Sequence, residues 1–254
     1  MKMKAMVRVA LMVAAVALLA ISIPVRASEM DDRIESSARD SYVFKTYLKG
    51  DDIKIQSKDG AVTLTGVVSE ESRRGLAKET VAGLPGVKSV DNRLEVKGAS
   101  PTPNSDAWLG EKVKATLLFH RNVSASTTEV DVKDGIVTLR GDAASQAQKE
   151  LTTEYAKDVE GVKDVNNDMT VSKTSEMTMA RVIGKIDDAS ITAQIKMTLL
   201  FHRSTSALNT KVETKDGVVT MYGKASNAAE KDLVTKLVND INGVKSVNNR
   251  MTIE

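Results

Sequence analysis

The chain has 254 residues, 41% of them hydrophobic, 28% charged and 3% aromatic, with no cysteine, which describes a soluble globular protein and excludes disulfide bonds. Its formal net charge is +2, but four of its 36 basic residues and none of its 34 acidic ones lie in the first 27 positions, so the remainder carries 32 − 34 = −2. A chain of that balance is not a nucleic-acid binder by charge, and each of its domains must be held by its own core.

Residues 1–27 read as a signal peptide. Lys2, Lys4 and Arg8 precede the apolar run VALMVAAVALLAISI, and Pro24 and Val25-Arg26-Ala27 follow it. The run falls short of the roughly 20 residues that span a bilayer, so a cleaved secretory signal is expected rather than an anchor, with the periplasm as destination.

Beyond it the same unit recurs three times. Lys-Asp-Gly stands at Lys58-Asp59-Gly60, Lys133-Asp134-Gly135 and Lys215-Asp216-Gly217, and Gly-Val-Lys begins at Gly86, Gly161 and Gly243. The distance between the two motifs is 86 − 60, 161 − 135 and 243 − 217, which is 26 in every copy. The expected domains are therefore residues 30–97, 106–173 and 187–254, joined by GASPTPNS (98–105) and TSEMTMARVIGKI (174–186).

Each unit opens with an amphipathic helix: Leu109, Val113, Thr116, Leu117 and His120 fall on one face, matched by Ile191, Ile195, Thr198, Leu199 and His202. A hairpin follows, with Val130 and Val132, then Val137 and Leu139, alternating around the Asp-Gly turn. A second helix carries Leu76, Thr80 and Leu84, or Leu151, Tyr155 and Val159, or Leu233, Leu237 and Ile241. A strand through Val165, Met169 and Val171 closes the unit. The fold class is thus α+β: three tandem domains, each helix-strand-strand-helix-strand, with a three-stranded sheet and two helices on one face.

These residues resemble the BON domain. The resemblance is carried by Gly135-Ile136-Val137-Thr138-Leu139 with Gly141 and by Gly161 to Asn167, and by their counterparts in the first and third copies. It implies exported, non-enzymatic proteins that bind phospholipid surfaces and guard the cell envelope under osmotic and other stress, or act there as chaperones. It brings no catalytic residues and no cofactor.

The residues themselves point the same way. No nucleophile-base pair, metal-ligand spacing or phosphate loop is present, so no catalytic or metal residue and no small-molecule substrate is assigned. The carboxylate pairs Asp31-Asp32, Asp51-Asp52 and Asp187-Asp188 read as helix N-terminal charge or solvated turns. The candidate lipid-binding residues are Trp108, Lys112, Phe119 and Arg121. Trp108, Lys112 and Phe119 form a second stripe on the opening helix of the second copy, where an aromatic edge could enter a headgroup boundary while cations meet phosphate of an anionic phospholipid or membrane surface. The alternative partners are unfolded envelope proteins received on open sheet faces or edges, as a chaperone or interaction array would do. The motif LLFHR, at Leu117–Arg121 and Leu199–Arg203, holds the only histidines, His120 and His202. Lys45 replaces the histidine in the first copy, so it reads as a cation near a helix C-terminus rather than a metal ligand.

Overall fold

The computed structural model describes residues 23–98, 101–123, 125–172, 185–205 and 210–254. Residues 1–22 of the expected signal peptide and nearly all of the second linker lie outside the described residues.

Domain 1 comprises α1 (Ile23–Asp40), α2 (Tyr42–Thr46), β1 (Asp52–Lys58), β2 (Ala61–Val68), α3 (Glu71–Ala82) and β3 (Ser89–Val96). Domain 2 has α4 (Asp106–Phe119), β4 (Thr128–Lys133), β5 (Ile136–Ala143), α5 (Gln146–Lys157), and a third strand in two pieces, β6 (Asp164–Asn167) and β7 (Thr170–Val171). Domain 3 repeats this with α6 (Asp188–Phe201), β8 (Thr210–Lys215), β9 (Val218–Ala225), α7 (Ala228–Asn239), β10 (Ser246–Asn249) and β11 (Thr252–Ile253).

Each sheet is mixed. The central strand pairs antiparallel with its hairpin partner, at Ile55↔Leu64, Val130↔Leu139 and Val212↔Met221, and parallel with the third strand, which returns through the second helix. In domain 2, Leu109, Val113 and Leu117 of α4 and Ala156 of α5 close on Val137 and Leu139, so both helices cover one sheet face. Ile136, directly before the inward Val137, is 39% exposed on the other.

The Lys-Asp-Gly triplets are hairpin turns. Asp59, Asp134 and Asp216 have φ of 53°, 54° and 53°, and the following glycines 82°, 81° and 79°, the two left-handed residues that a tight hairpin of this hand requires. A carboxylate from the opening helix holds each turn: Asp31, Asp106 and Asp188 accept both turn N–H groups at 2.7–2.9 Å. Asp31 and Asp188, read as helix-start charge or solvated turn, thus have a specific partner 28 residues away, as does Asp106. Asp106→Ala should cost about 1.5 kcal/mol through the two orphaned N–H groups, read as a lower midpoint in urea unfolding.

A second clamp ties the third strand to the second helix. Asn92, Asn167 and Asn249 each donate through Nδ2 to a helix carbonyl, of Arg74, Lys149 and Lys231, while Oδ1 accepts the N–H two residues on. The clamp is common to all three domains, while the third strand is continuous in domain 1 and interrupted just after the Asn in domains 2 and 3.

Domain 1 departs from the repeat at its opening helix. Ser41 breaks it, turning its hydroxyl back to the Ala38 carbonyl at 2.8 Å and capping α2 at the Phe44 N–H. The break frees the N–H groups of Tyr42 and Val43, and domain 3 takes both, through Asp187 Oδ2 at 2.7 Å and Ser190 Oγ at 3.1 Å.

Candidate functional site

The three domains pack against one another, and their junctions gather most of the unusual side chains. Domains 2 and 3 meet reciprocally through LLFHR. Arg121 donates to the carbonyls of Asn239, Ile241 and Val244 at 2.7–2.8 Å, where α7 ends. Arg203 does the same at the end of α5, to Lys157, to Val159 at 3.3 Å and to Val162 at 2.9 Å. Four backbone hydrogen bonds repeat the symmetry: Arg121 N–H to Asp240, Asn242 N–H to Phe119, Arg203 N–H to Asp158 and Glu160 N–H to Phe201, at 2.8–3.0 Å. Each arginine gathers the last carbonyl of a helix in the other domain, Asn239 or Lys157, and two carbonyls of the turn that follows it, where a cation is also favoured by the helix dipole. The motif does serve a helix C-terminus, but another domain's, and the cation that serves it is the arginine.

His120 is 2% exposed. Its ring stacks on Tyr155 at 3.8 Å between centroids, and Nδ1 lies 3.3 Å from Asp240 Oδ2. Burial pushes its pKa below the ordinary histidine value, with Asp240 opposing, so it is a neutral imidazole and not the cation its helix-end position suggests. His202 is 8% exposed and turned differently: its Nδ1 accepts the Ser204 N–H at 3.0 Å, which leaves the proton of a neutral ring on Nε2.

Domain 1 joins through α3 and Tyr47. The Tyr47 ring meets Phe119 edge-on at 5.7 Å, and its hydroxyl donates to the Leu118 carbonyl at 3.3 Å. Gly75 lets Met197 approach so closely that a Cβ there would lie 3.2 Å from its Cε, and Lys196 pairs with Glu79 at 2.8 Å. Glu111 reaches from α4 to accept the N–H of Glu71 at the start of α3, at 3.1 Å. Burial, and then the neighbouring Glu70, raise its pKa.

Where α3, α4 and α6 converge they leave a cleft of about 700 Å³. Trp108, Met197, Leu200 and Phe201 give it an apolar wall, and Lys78, Lys112, Lys196, Glu71, Glu79, Glu111 and Glu160 a charged rim. Lys112 is the most unusual of these. Its side chain is 8% exposed, its ammonium lies 3.6 Å from the Trp108 ring centroid and 5.6 Å from that of Phe201, and its nearest carboxylate, Glu160, is 3.7 Å away. Burial pulls its pKa below the usual lysine value, with Glu160 opposing.

The four residues read as a lipid-facing set are therefore divided. Trp108 and Lys112 stack on each other in the cleft wall. Phe119, 1% exposed, is packed between domains 1 and 2, and Arg121 is bound to domain 3. Sequence reading places Met197 and Phe201 on the matching stripe of the third copy but assigns neither them nor Leu200 to the site, and all three complete the cleft. Leu200 is half-exposed at 49%, and an outward leucine directly before Phe201 was the available signal. Among the described residues no group of three or more His, Asp or Glu could hold a metal ion, and no helix is long and apolar enough to cross a membrane.

The BON domain family model matches residues 30–98, 105–173 and 187–254. The chain is 32% identical over 197 residues to Osmotically-inducible protein Y of Escherichia coli, covering 78% of this chain and 95% of that protein. It is 31% identical over 111 residues to the Outer membrane lipoprotein DolP of Haemophilus influenzae, covering 43% of this chain and 57% of that protein. CdsD, a structural protein of the type III secretion system of Chlamydia trachomatis, aligns over 87% of this chain and 90% of its own at 15% identity, with a TM-score of 0.23, too slight a likeness to add to the fold. Three matches spanning nearly all of the chain past residue 29, on the fold just described, settle the family: this chain belongs to the BON domain family and carries three copies of the domain.

Proposed function

We propose that this chain is a non-enzymatic protein of the periplasm, exported through a cleaved N-terminal signal, that binds anionic phospholipid at the cleft where its three domains meet. Its relatives by name include an osmotically inducible protein and an outer membrane lipoprotein, which supports an envelope role. The observation that carries the lipid reading is the Lys112 ammonium held between Trp108 and Phe201, with a single carboxylate, the mostly exposed Glu160, at 3.7 Å. A phosphate oxygen arriving there would meet a cation already stripped of much of its water, beside an aromatic edge and the exposed Leu200 that suit the acyl boundary. Four carboxylates around the same cleft mean that the attraction is local to Lys112 and the outer Lys78 rather than a property of the whole surface.

Cosedimentation with phosphatidylglycerol liposomes at low salt tests it. Binding by the chain from residue 28 onward, falling about tenfold in Trp108→Ala with Lys112→Ala, a loss of roughly 1.4 kcal/mol, is the expected result. No binding, or binding indifferent to both substitutions, overturns the reading. Suppression of client aggregation in the absence of lipid would favour the chaperone alternative instead.

A further inference from the structure

The sheet face that carries no helices is built on the same backbone in every domain, so its residues can be compared position by position. In domain 2 the neutral residues Ile136 and Thr138 of the central strand β5 lie at its middle. Around them stand five exposed carboxylates, Glu129, Asp131, Asp142, Asp164 and Asp168. They outnumber two cations, Lys133 and Arg140, the second of which is paired with Asp131. In domain 3 Val218, Thr220 and Tyr222 of β9 take the middle, and the charge around them is reversed. Four exposed cations, Lys211, Lys215, Lys224 and Arg250, face one carboxylate, Glu213. Lys211 and Arg250 come within 5.9 and 6.0 Å of the Tyr222 ring centroid, which puts both on its side of the sheet.

The reversal is tied to equivalent positions. Domain 3 follows domain 2 by 217 − 135 = 82 residues, and the hairpin registers agree, with Thr128↔Gly141 in one and Thr210↔Gly223 in the other. At that offset Lys211 stands for Glu129, Lys224 for Asp142 and Arg250 for Asp168. Three changes of sign on otherwise matched sheets make the two faces complementary to each other. The open face of domain 1 is mixed instead: Lys54 and Arg93 are offset by Asp91 and Glu95, and Arg93 is held by Asp91 at 2.7 Å. Within one chain the complementary faces do not meet. The junction between domains 2 and 3 is made by helices and helix ends, on the far side of each sheet, and the charges of both open faces stay exposed.

We propose that the open sheet face of domain 2 is the docking surface for the open sheet face of domain 3 in a second copy of this chain. Packed sheets lie about 10 Å apart, so Ile136 and Tyr222 supply apolar contact at the centre while the rim charges select the partner face and its orientation. Like faces repel, domain 2 against domain 2 or domain 3 against domain 3, so the contact is head to tail between unlike surfaces. Its size sets its strength. Three strands about 4.8 Å apart, with central strands of eight residues at about 3.3 Å each, cover roughly 400 Å² per partner. The total of about 800 Å² lies below the standard interface, so the copies associate weakly and reversibly. An anionic membrane would suit the basic face of domain 3 but leave the acidic face of domain 2 without a partner, whereas a second copy uses both.

Sedimentation velocity of the chain from residue 28 onward, at low salt, tests this. The weight-average sedimentation coefficient should rise between about 10 µM and about 1 mM protein, the range open to a contact of this size. Association should weaken about tenfold or more in about 1 M salt, where exposed charges are screened beyond about 3 Å. Two triple variants carry the comparison further. Glu129→Lys with Asp142→Lys and Asp168→Arg makes both faces basic, and Lys211→Glu with Lys224→Asp and Arg250→Asp makes both acidic. Neither should associate alone, and an equimolar mixture should associate about as the wild type does. All six positions are exposed and none lines the three-domain cleft, so folding and the cleft are left intact. A wild type that stays monomeric throughout, association indifferent to either triple variant, or a mixture that fails to associate would overturn the proposal. Loss of phosphatidylglycerol liposome binding in the acidic variant, with no self-association in the wild type, would overturn it too and make the domain 3 face a membrane surface.

Discussion

Phe119→Ala is expected to lower stability by about 3–5 kcal/mol, and to do so with or without lipid. The ring is 1% exposed and touches Tyr47 of domain 1 edge-on, so truncation leaves a cavity at a domain junction and removes an aromatic pair. For a chain of this length that corresponds to a fall in melting temperature of about 10 °C. If Phe119 instead met lipid directly, the variant would melt like the wild type and lose only liposome binding. Calorimetry in buffer separates the two outcomes.

The second large effect belongs to the paired arginines. Arg121→Ala with Arg203→Ala leaves six carbonyls, in the last turn of a helix or the turn that follows it, without their cationic donors, at a cost of about 2 kcal/mol for each side chain after allowance for water at the partly exposed junction. The two domains should then separate while each keeps its own core. Small-angle scattering should show a larger radius of gyration, and limited proteolysis new cleavage near Asn122 and Ser204. A double variant as compact as the wild type would show that the remaining backbone bonds hold the junction unaided.

The contrast between these sites and the hairpins explains what could be read in advance. The Lys-Asp-Gly turns, the alternation of Val137 and Leu139 and the helical spacing of Leu109, Val113 and Leu117 are local, and local patterns fix strand, turn and helix without knowledge of neighbours. The Asp31, Asp106 and Asp188 clamps were within reach of the same arithmetic, since each stands 28 residues before its turn aspartate. The stripe through Trp108 and Phe119 was placed on one helix face, but what covers that face was not legible. Tyr47 is 71 residues from its acceptor at Leu118, and Asp240 is 120 from His120, with no periodicity linking them. The same distance hid the meaning of LLFHR. Its histidine appeared to be a helix-end cation because Lys45 replaces it in domain 1. Domain 1 does not use that position for docking at all: Lys45 pairs with Asp40 at the surface, and the broken helix at Ser41 makes the contact with domain 3.

Trp108 is the sole tryptophan, which makes it a built-in reporter of the cleft. The most direct measurement is its fluorescence as phosphatidylglycerol vesicles with brominated acyl chains are added to the chain from residue 28 onward. Binding at the three-domain cleft predicts a blue shift and quenching of Trp108 that saturate together with vesicle binding, and that weaken in Lys112→Ala. Vesicle binding that leaves the Trp108 emission unchanged would place the contact elsewhere and contradict the account.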